Sequence, residues 1–355
     1  MKVLMHFNGA YSNNAGVSRV VLGLGEALEE KGIGMDYLYG YNVPNGKHSY
    51  LNALNGKLHF LHHSPLTALM FARWIKGKEF DVVHSHTPEA AFDAVIARAL
   101  LRKKYKLTVH LHGLDKALRT EWLKEVENGM ATFSLRQELY LRVSIFKAWF
   151  AFRYAGSFIA VSHSVARQAK TLYGVDAEVA PNSVDCGKFK KIRKTKARKL
   201  LGLGEKPVVL FVGNASWVKG LKYLVEAVKE IDALLLVVGL EKDEETSLSL
   251  GEKVRFEGIV DQKKLSLYYS AADVLCVPSV YEAFGLVYAE AACFSLPCVG
   301  CKGTGAEEII ENGKNGFLVE KRNPREIRSA IKRIIFSKGG SGFGCVKQAK
   351  RRSDK

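Results

Sequence analysis

Short, continuously apolar runs alternate with segments of helical periodicity, and the pattern plays through twice, once in each half of the chain. A strand with no polar face must be covered on both sides, which calls for a parallel sheet wrapped by crossover helices. In the first half the runs predict strands at 3–7, 82–85, 107–112 and 158–161. In the second they predict strands at 208–212, 234–238, 254–257, 274–277 and 297–300. Between them, Val17, Val20, Val21, Leu24 and Leu28 share one helix face, as do Leu221, Leu224, Val225 and Val228. A chain of 355 residues exceeds one ordinary domain. The expected class is therefore α/β: two doubly wound, Rossmann-like parallel-sheet domains facing across a cleft. The series restarts after the run KFKKIRKTKARK, so the expected division is a first domain at 1–187 and a basic linker at 188–203. A second domain follows at 204–336, then a glycine-rich basic tail at 337–355, predicted to be disordered.

The net charge of +17 attracts anions of any kind. No aromatic RNA-reading motif or DNA-reading helix accompanies it, so no specific nucleic-acid partner is expected. No apolar run reaches the ~20 residues of a membrane span, and the N-terminus turns polar too early for a secretory signal. Six cysteines in this length do not suggest a disulfide framework. Cys298-x2-Cys301 has zinc-ligand spacing but no second pair, so Cys293, Cys298 and Cys301 read as small buried residues. A soluble, cytoplasmic protein is the expectation. The stretch 135–159 interleaves Phe146, Trp149, Phe150, Phe152, Tyr154 and Phe158 with Arg142, Lys147 and Arg153. It reads either as a core helix or as a surface for an anionic membrane, and the total charge favours peripheral membrane contact.

Ligands of doubly wound sheets bind at the carboxyl ends of the strands. The first such loop, NGAYSNNAG, leads into a helix opened by Gly16 and carrying Arg19; small residues there let backbone amides approach a phosphate or sugar. It is not G-x-G-x-x-G, so no dinucleotide site is indicated. DVVHSHTPE and LTVHLHGLD each send histidines off a strand end. Two H-x-H pairs could hold a metal, but strand alternation only puts both members of each pair on one face, and no carboxylate–histidine arrangement is evident. A cleft-lining or sugar-contacting role is favoured and no metal is expected. His112, followed by Gly113, is the preferred functional histidine and His110 the fallback.

The second half is sharper. FVGNASWVKG is a strand, a turn at Gly213 and Asn214, and then Lys219 just before a helix, where an ammonium can reach a phosphate. In VPSVYEAFGLVYAEAACFSLPCVG a buried strand ends at proline and a loop carries Glu282. Phe284, Gly285 and Leu286 then open a helix bearing Glu290. Amides at that helix start suit a diphosphate, and Glu290 can accept from vicinal hydroxyls such as those of a ribose.

In this order and spacing these motifs resemble the retaining glycosyltransferases of the GT-B fold, glycosyltransferase family 4. The resemblance runs from Met1 to about Ile335. It rests on Gly16-Val17-x-Arg19, DVVHSHTP, His112-Gly113, VSHS, PNSVD, VG…KG, the Glu282–Glu290 pair and NGFLV. It implies a hexose moved from a nucleotide diphosphate sugar, a UDP- or GDP-sugar foremost, to a glycan, lipid-linked or small acceptor. No cofactor or metal would be needed. The first domain would be the acceptor side and the second the nucleotide-sugar side. By the resemblance Lys219 binds the diphosphate, Glu290 the ribose and Glu282 the transferred sugar. Gly16 lies against the donor phosphates, and His112 near the reacting sugar. The chain departs from the family pattern at Asn214, where an arginine is usual, at Ser295, where a glycine is usual, and in its tail. Two other readings stay open: a degenerate module that binds nucleotide sugars without turnover, and an epimerase or phosphorylase on the same fold.

Overall fold

The computed structural model describes residues 1–10, 16–41, 48–49, 66–214, 217–241 and 250–336. It divides into two compact units: residues 1–120 with 133–180, and residues 121–132 with 181–355.

The first unit is built on a parallel sheet of β1 (Lys2–Ala10), β2 (Gly34–Tyr41), β3 (His48–Ser49), β4 (Val82–Ser85), β5 (Lys106–Leu111), β6 (Ser157–Ala160) and β7 (Glu178–Val179). The strand order is β3-β2-β1-β4-β5-β6-β7. Its crossovers are α1 (Gly16–Glu29), α2 (Leu66–Ile75), α3 (Pro88–Leu100), α4 (Asp115–Glu127), α5 (Leu135–Tyr154) and α6 (His163–Tyr173). The four strands predicted here are all present. The sequence missed β2, whose apolar run is broken by Asp36; that carboxylate is held at the surface by Lys2, 3.0 Å away. Val3, Met5, Val21 and Tyr39 pack as one buried cluster, each large apolar side chain contributing about 1.5–3 kcal/mol when fully buried. Helix starts follow local chemistry: Thr87 accepts from the Ala90 amide ahead of Pro88, Ser134 from Gln137, and Ser162 from Val165.

The second unit repeats the plan. Its sheet holds β8 (Val208–Val212), β9 (Leu234–Val238), β10 (Val254–Phe256), β11 (Val274–Cys276), β12 (Cys298–Cys301) and β13 (Gly316–Val319), in the order β10-β9-β8-β11-β12-β13. The helices are α7 (Lys194–Leu200), α8 (Leu221–Val228), α9 (Gln262–Ala271), α10 (Leu286–Cys293) and α11 (Pro324–Phe336). All five residues of β8 are buried, as continuous apolarity requires. The five strands predicted here are present, and NGFLV supplies the additional edge strand β13.

Two expectations change. The basic run read as a linker contains α7, fastened to the second unit by Asp273: Lys194 and Arg198 each lie 2.5 Å from its carboxylate. The cysteines are not all thiols either. Cys186 and Cys293 form a disulfide, whereas Cys276, Cys298 and Cys301 are free and buried. A separation of 107 residues hides such a pairing from spacing arguments. The second half of α4 clusters with the second unit, where Arg322 binds Glu121 and Glu125, each at 2.6 Å. The predicted tail at 337–355 and most of the loop 8–16 lie outside the described residues.

Candidate active site

Both sheets reverse their winding beside the first strand of the unit: between β1 and β4 in one, between β8 and β11 in the other. The crevice at the carboxyl ends flanking such a reversal is where α/β sheets bind ligands.

In the second unit the reversal brings two distant segments of sequence together. β8 runs out through Gly213 and exposed Asn214 to a 3-10 turn at Trp217–Lys219. The segment after β11 lies alongside, with the Val280 amide donating to the Val218 carbonyl at 2.8 Å. Gly220 caps α8 with φ +68, and a Cβ there would sit 2.2 Å from the Pro278 carbonyl oxygen. Only glycine permits both that conformation and that approach. The result is a fixed pair: Lys219 Nζ lies 2.7 Å from Glu282 Oε2, with the two side chains only 22% and 12% exposed. The Glu282 carbonyl accepts from the Gly305 amide at 2.7 Å, which holds the loop from its other side.

Three residues beyond Glu282, Gly285 turns the chain into α10 with φ +86; a Cβ would come within 2.4 Å of the Tyr288 ring. No side chain caps this helix start; the Tyr288 amide is bonded to the Gly285 carbonyl at 3.0 Å, and an uncapped helix start of this kind is the end that binds anions. Phe284 is buried just before it, and Leu286 begins the helix. Tyr288 donates to the Val277 carbonyl at 2.5 Å, tying α10 to the end of β11. Glu290 is 1% exposed and accepts from the Tyr269 hydroxyl at 2.8 Å. Sequence placed this carboxylate toward a ribose; the structure shows it buried and already bonded to a tyrosine hydroxyl.

In the first unit Gly16 opens α1, which also carries the half-buried Arg19. Across the reversal, Thr87 donates to Asn8 Oδ1 at 2.9 Å. The two histidine pairs become one assembly, because β4 and β5 are neighbours in register. The rings of His84 and His86 stack 4.7 Å apart, those of His110 and His112 4.5 Å apart, and the two stacks lie side by side. His86 Nδ1 is 3.1 Å from His112 Nε2. Burial pushes His112 down to about 3 and His84 to about 4, so both are neutral near pH 7. Both ring nitrogens of His110, and Nε2 of His84 and His86, are buried without a hydrogen-bond partner among the described residues. An unsatisfied buried polar atom costs about 1–3 kcal/mol.

The structure also assembles a group that sequence reasoning passed over. Glu89, in the first turn of α3, and Asp115, in the first turn of α4, both meet Ser144 Oγ of α5; the Asp115 contact is 2.5 Å. One hydroxyl donates one proton, so two carboxylates sharing it favour a proton on one of themselves. Burial first, then the neighbouring Asp115 charge, raises Glu89 to about 7, and burial raises Asp115 as well. The signal was present in DVVHSHTPE and LTVHLHGLD: each ends in a carboxylate beyond its histidines, and each opens the helix after its strand.

Comparison with known proteins supports this architecture from two directions. The model of Glycosyltransferase Family 4 matches residues 14–188, and that of Glycosyl transferases group 1 matches residues 193–350. The chain is similar to the D-inositol 3-phosphate glycosyltransferase of a Nocardioides species, 27% identical over 368 residues, covering 90% of this chain and 77% of the relative. In fold it is similar to sucrose-phosphate synthase from Thermosynechococcus elongatus, with TM-score 0.76, 22% identity, and 96% and 91% of the two chains covered. It is also similar to Anabaena HepE in complex with UDP-glucose, with TM-score 0.72, 22% identity, and 97% and 92% covered. No helix among the described residues is long and apolar enough to cross a membrane. With both halves matched in order and both sheets wound as this fold requires, the chain belongs to the GT-B glycosyltransferases of family 4.

Proposed function

We propose that this glycosyltransferase moves a hexose from a nucleotide diphosphate sugar, a UDP-sugar first, to a hydroxyl acceptor with retention at the anomeric carbon. The observation that carries the reading is the Lys219–Glu282 pair, 2.7 Å apart, beside the uncapped start of α10. When the bond from the anomeric carbon to the diphosphate oxygen breaks, the electron pair leaves with the diphosphate. Lys219 and the α10 amides are groups already in place to meet that charge, the form of electrostatic preorganisation that contributes most to such reactions. The new bond runs from the acceptor oxygen to the anomeric carbon, and the acceptor proton departs with the diphosphate or to solvent. Glu282, released from Lys219 as the diphosphate takes the ammonium, becomes an acceptor for sugar hydroxyls. The family resemblance assigns Glu290, which is buried and held by Tyr269, to the ribose, and His112 to the reacting sugar. The similarity to HepE, which was captured with UDP-glucose, supports a UDP-sugar as the donor. Calorimetry across UDP-, GDP-, ADP- and TDP-sugars tests this. Selective binding to UDP-sugars that is lost in Glu290→Ala is expected, together with release of nucleoside diphosphate. Binding without any turnover would leave a non-catalytic module, and no binding by folded protein would overturn the donor site.

One observation favours acceptors met at a membrane. α5 exposes Leu135, Leu139, Phe146 and Trp149, each more than half exposed and spaced four, seven and three residues apart, with Arg136, Arg142 and Arg153 exposed around them. An apolar stripe bordered by arginines suits an anionic lipid surface. Co-flotation with phosphatidylglycerol vesicles but not with phosphatidylcholine vesicles, weakened in Phe146→Ser/Trp149→Ser, is the expected result. Equal behaviour with both vesicle types would remove this reading.

A further inference from the structure

The histidine assembly of the first unit does more than line a strand end. We propose that His84, His86 and His110 form a binding site for a divalent transition-metal ion of the zinc class, with His112 hydrogen-bonded behind His86. Each of the three side chains offers a ring nitrogen, and those nitrogens all lie within 4.8 Å of one another. A tetrahedral zinc with Zn–N bonds of 2.0–2.1 Å holds its nitrogens about 3.4 Å apart. Imidazole χ2 torsions are broad, so ring turns can draw the nitrogens together from their present spread of up to 4.8 Å.

Three independent features favour an ion over a plain packing role. The three residues are buried, at 8%, 0% and 5% exposure, and each has an Nε2 without a partner among the described residues. His86 is bonded through Nδ1 to His112 while its Nε2 is left over. A metal-ligating histidine is ordinarily arranged this way, coordinating through one nitrogen and held in orientation through the other. The ligands also come from the ends of two adjacent strands, β4 and β5, which fixes their spacing by sheet register rather than by a loose loop. The donor set is all imidazole, which suits zinc, copper, nickel or cobalt and not magnesium or calcium, which require oxygen. The sequence argued against a metal because each H-x-H pair stands alone there; strand pairing is what joins them. The site draws only on residues of the first unit. It would clamp two strand ends and set the orientation of His112.

The test uses the full-length protein, stripped with a chelator, dialysed against zinc and assayed for metal by mass spectrometry. One zinc per chain is expected, falling to near zero in His84→Asn and in His110→Asn. His163→Asn, at an exposed position at the start of α6, should retain it. Circular dichroism checks that each variant is folded, and zinc should raise the melting temperature of the wild type but not of the two site variants. Cobalt substitution reads the donors: an intense visible band without sulfur-to-cobalt charge transfer identifies a four-coordinate nitrogen site. No bound zinc in the wild type, zinc retained in both site variants, or thiolate charge transfer pointing to the second unit's cysteines would each overturn the proposal.

Discussion

The two units share a winding order, yet the chemistry at their strand ends is opposite. In the second unit the reversal between β8 and β11 presents fixed charges: an ammonium and a carboxylate 2.7 Å apart beside helix amides. In the first, the ends of β4 and β5 carry histidines held neutral by burial and carboxyls pushed toward protonation. The difference teaches that one scaffold can serve two tasks through the residues it places at its strand ends and how deeply it encloses them. Where side chains stay partly open and paired, charge persists and can answer a diphosphate. Where they are enclosed among their own kind, charge is suppressed, and what remains is hydrogen bonding, proton sharing and metal ligation.

The largest expected effect tests whether the charged side dominates. Lys219→Ala should lower kcat/KM for donor turnover by about 10²–10³-fold, measured as nucleoside diphosphate release. His112→Asn, on the neutral side, should lower it by less. An equal loss from both would erase the distinction. Next is a probe that addresses one unit only. All six cysteines lie at position 186 or later, so a reductant acts on the second unit alone. Opening Cys186–Cys293, which joins the chain before α7 to the end of the helix bearing Glu290, should cost about 2–4 kcal/mol. The second unit should melt earlier while the first is unmoved, and Cys186→Ser should reproduce this. A thiol titration finding six free groups before reduction would refute the pairing.

The neutral side has its own test, through pH. The folded protein holds the Glu89 proton up to about 7, whereas an unfolded chain releases it near 4.5. Between those values the folded state binds more protons at this group, so the contribution of Glu89 to stability is fully present below 4.5 and is lost as pH rises to 7, opposite in sign to that of the buried histidines. That contribution is on the order of 3 kcal/mol at about 1.4 kcal/mol per pH unit, and Glu89→Gln should remove it. Melting temperatures at pH 5 and pH 8 compare the two proteins; parallel curves would place the pH dependence elsewhere.

How far each region was legible follows from how local its chemistry is. Buried strands such as VVLFV announced themselves, since a run with no polar face has few other uses. Glu282, Phe284, Gly285 and Glu290 fall within nine residues, so proline, glycine and helix start could be read together. The contact between Lys219 and Glu282 spans 63 residues and was not read from the sequence, which placed each residue at a strand end but not the strand order that brings them together. The histidine assembly was hidden in the same way. Each H-x-H pair is visible, but their union depends on β4 and β5 being neighbours, and the Glu89–Asp115–Ser144 group requires α5 to cross both helix starts. Disulfide pairing over 107 residues leaves no local trace at all.

The smallest expected effect concerns the one position where the charged side is weaker than its family pattern. Asn214 is exposed immediately after the Gly213 turn, five residues before Lys219, at the place where the resemblance calls for arginine. A guanidinium there would add a second, fork-shaped donor to the diphosphate, and one charge-assisted hydrogen bond contributes about 1.5 kcal/mol or somewhat more. Asn214→Arg should therefore tighten UDP binding roughly tenfold, and Asn214→Lys by less, since an ammonium cannot donate bidentately. The competing fate is capture of the new cation by Glu282, which would leave affinity unchanged and loosen the Lys219 pair instead. Calorimetry on the single variants and on Asn214→Arg/Glu282→Gln separates the two. If affinity rises only in the double variant, the carboxylate is the controlling partner of every cation at this strand end. If it rises in the single variant, the turn was already shaped for the second charge, and the contrast between the two units becomes sharper than the present sequence makes it.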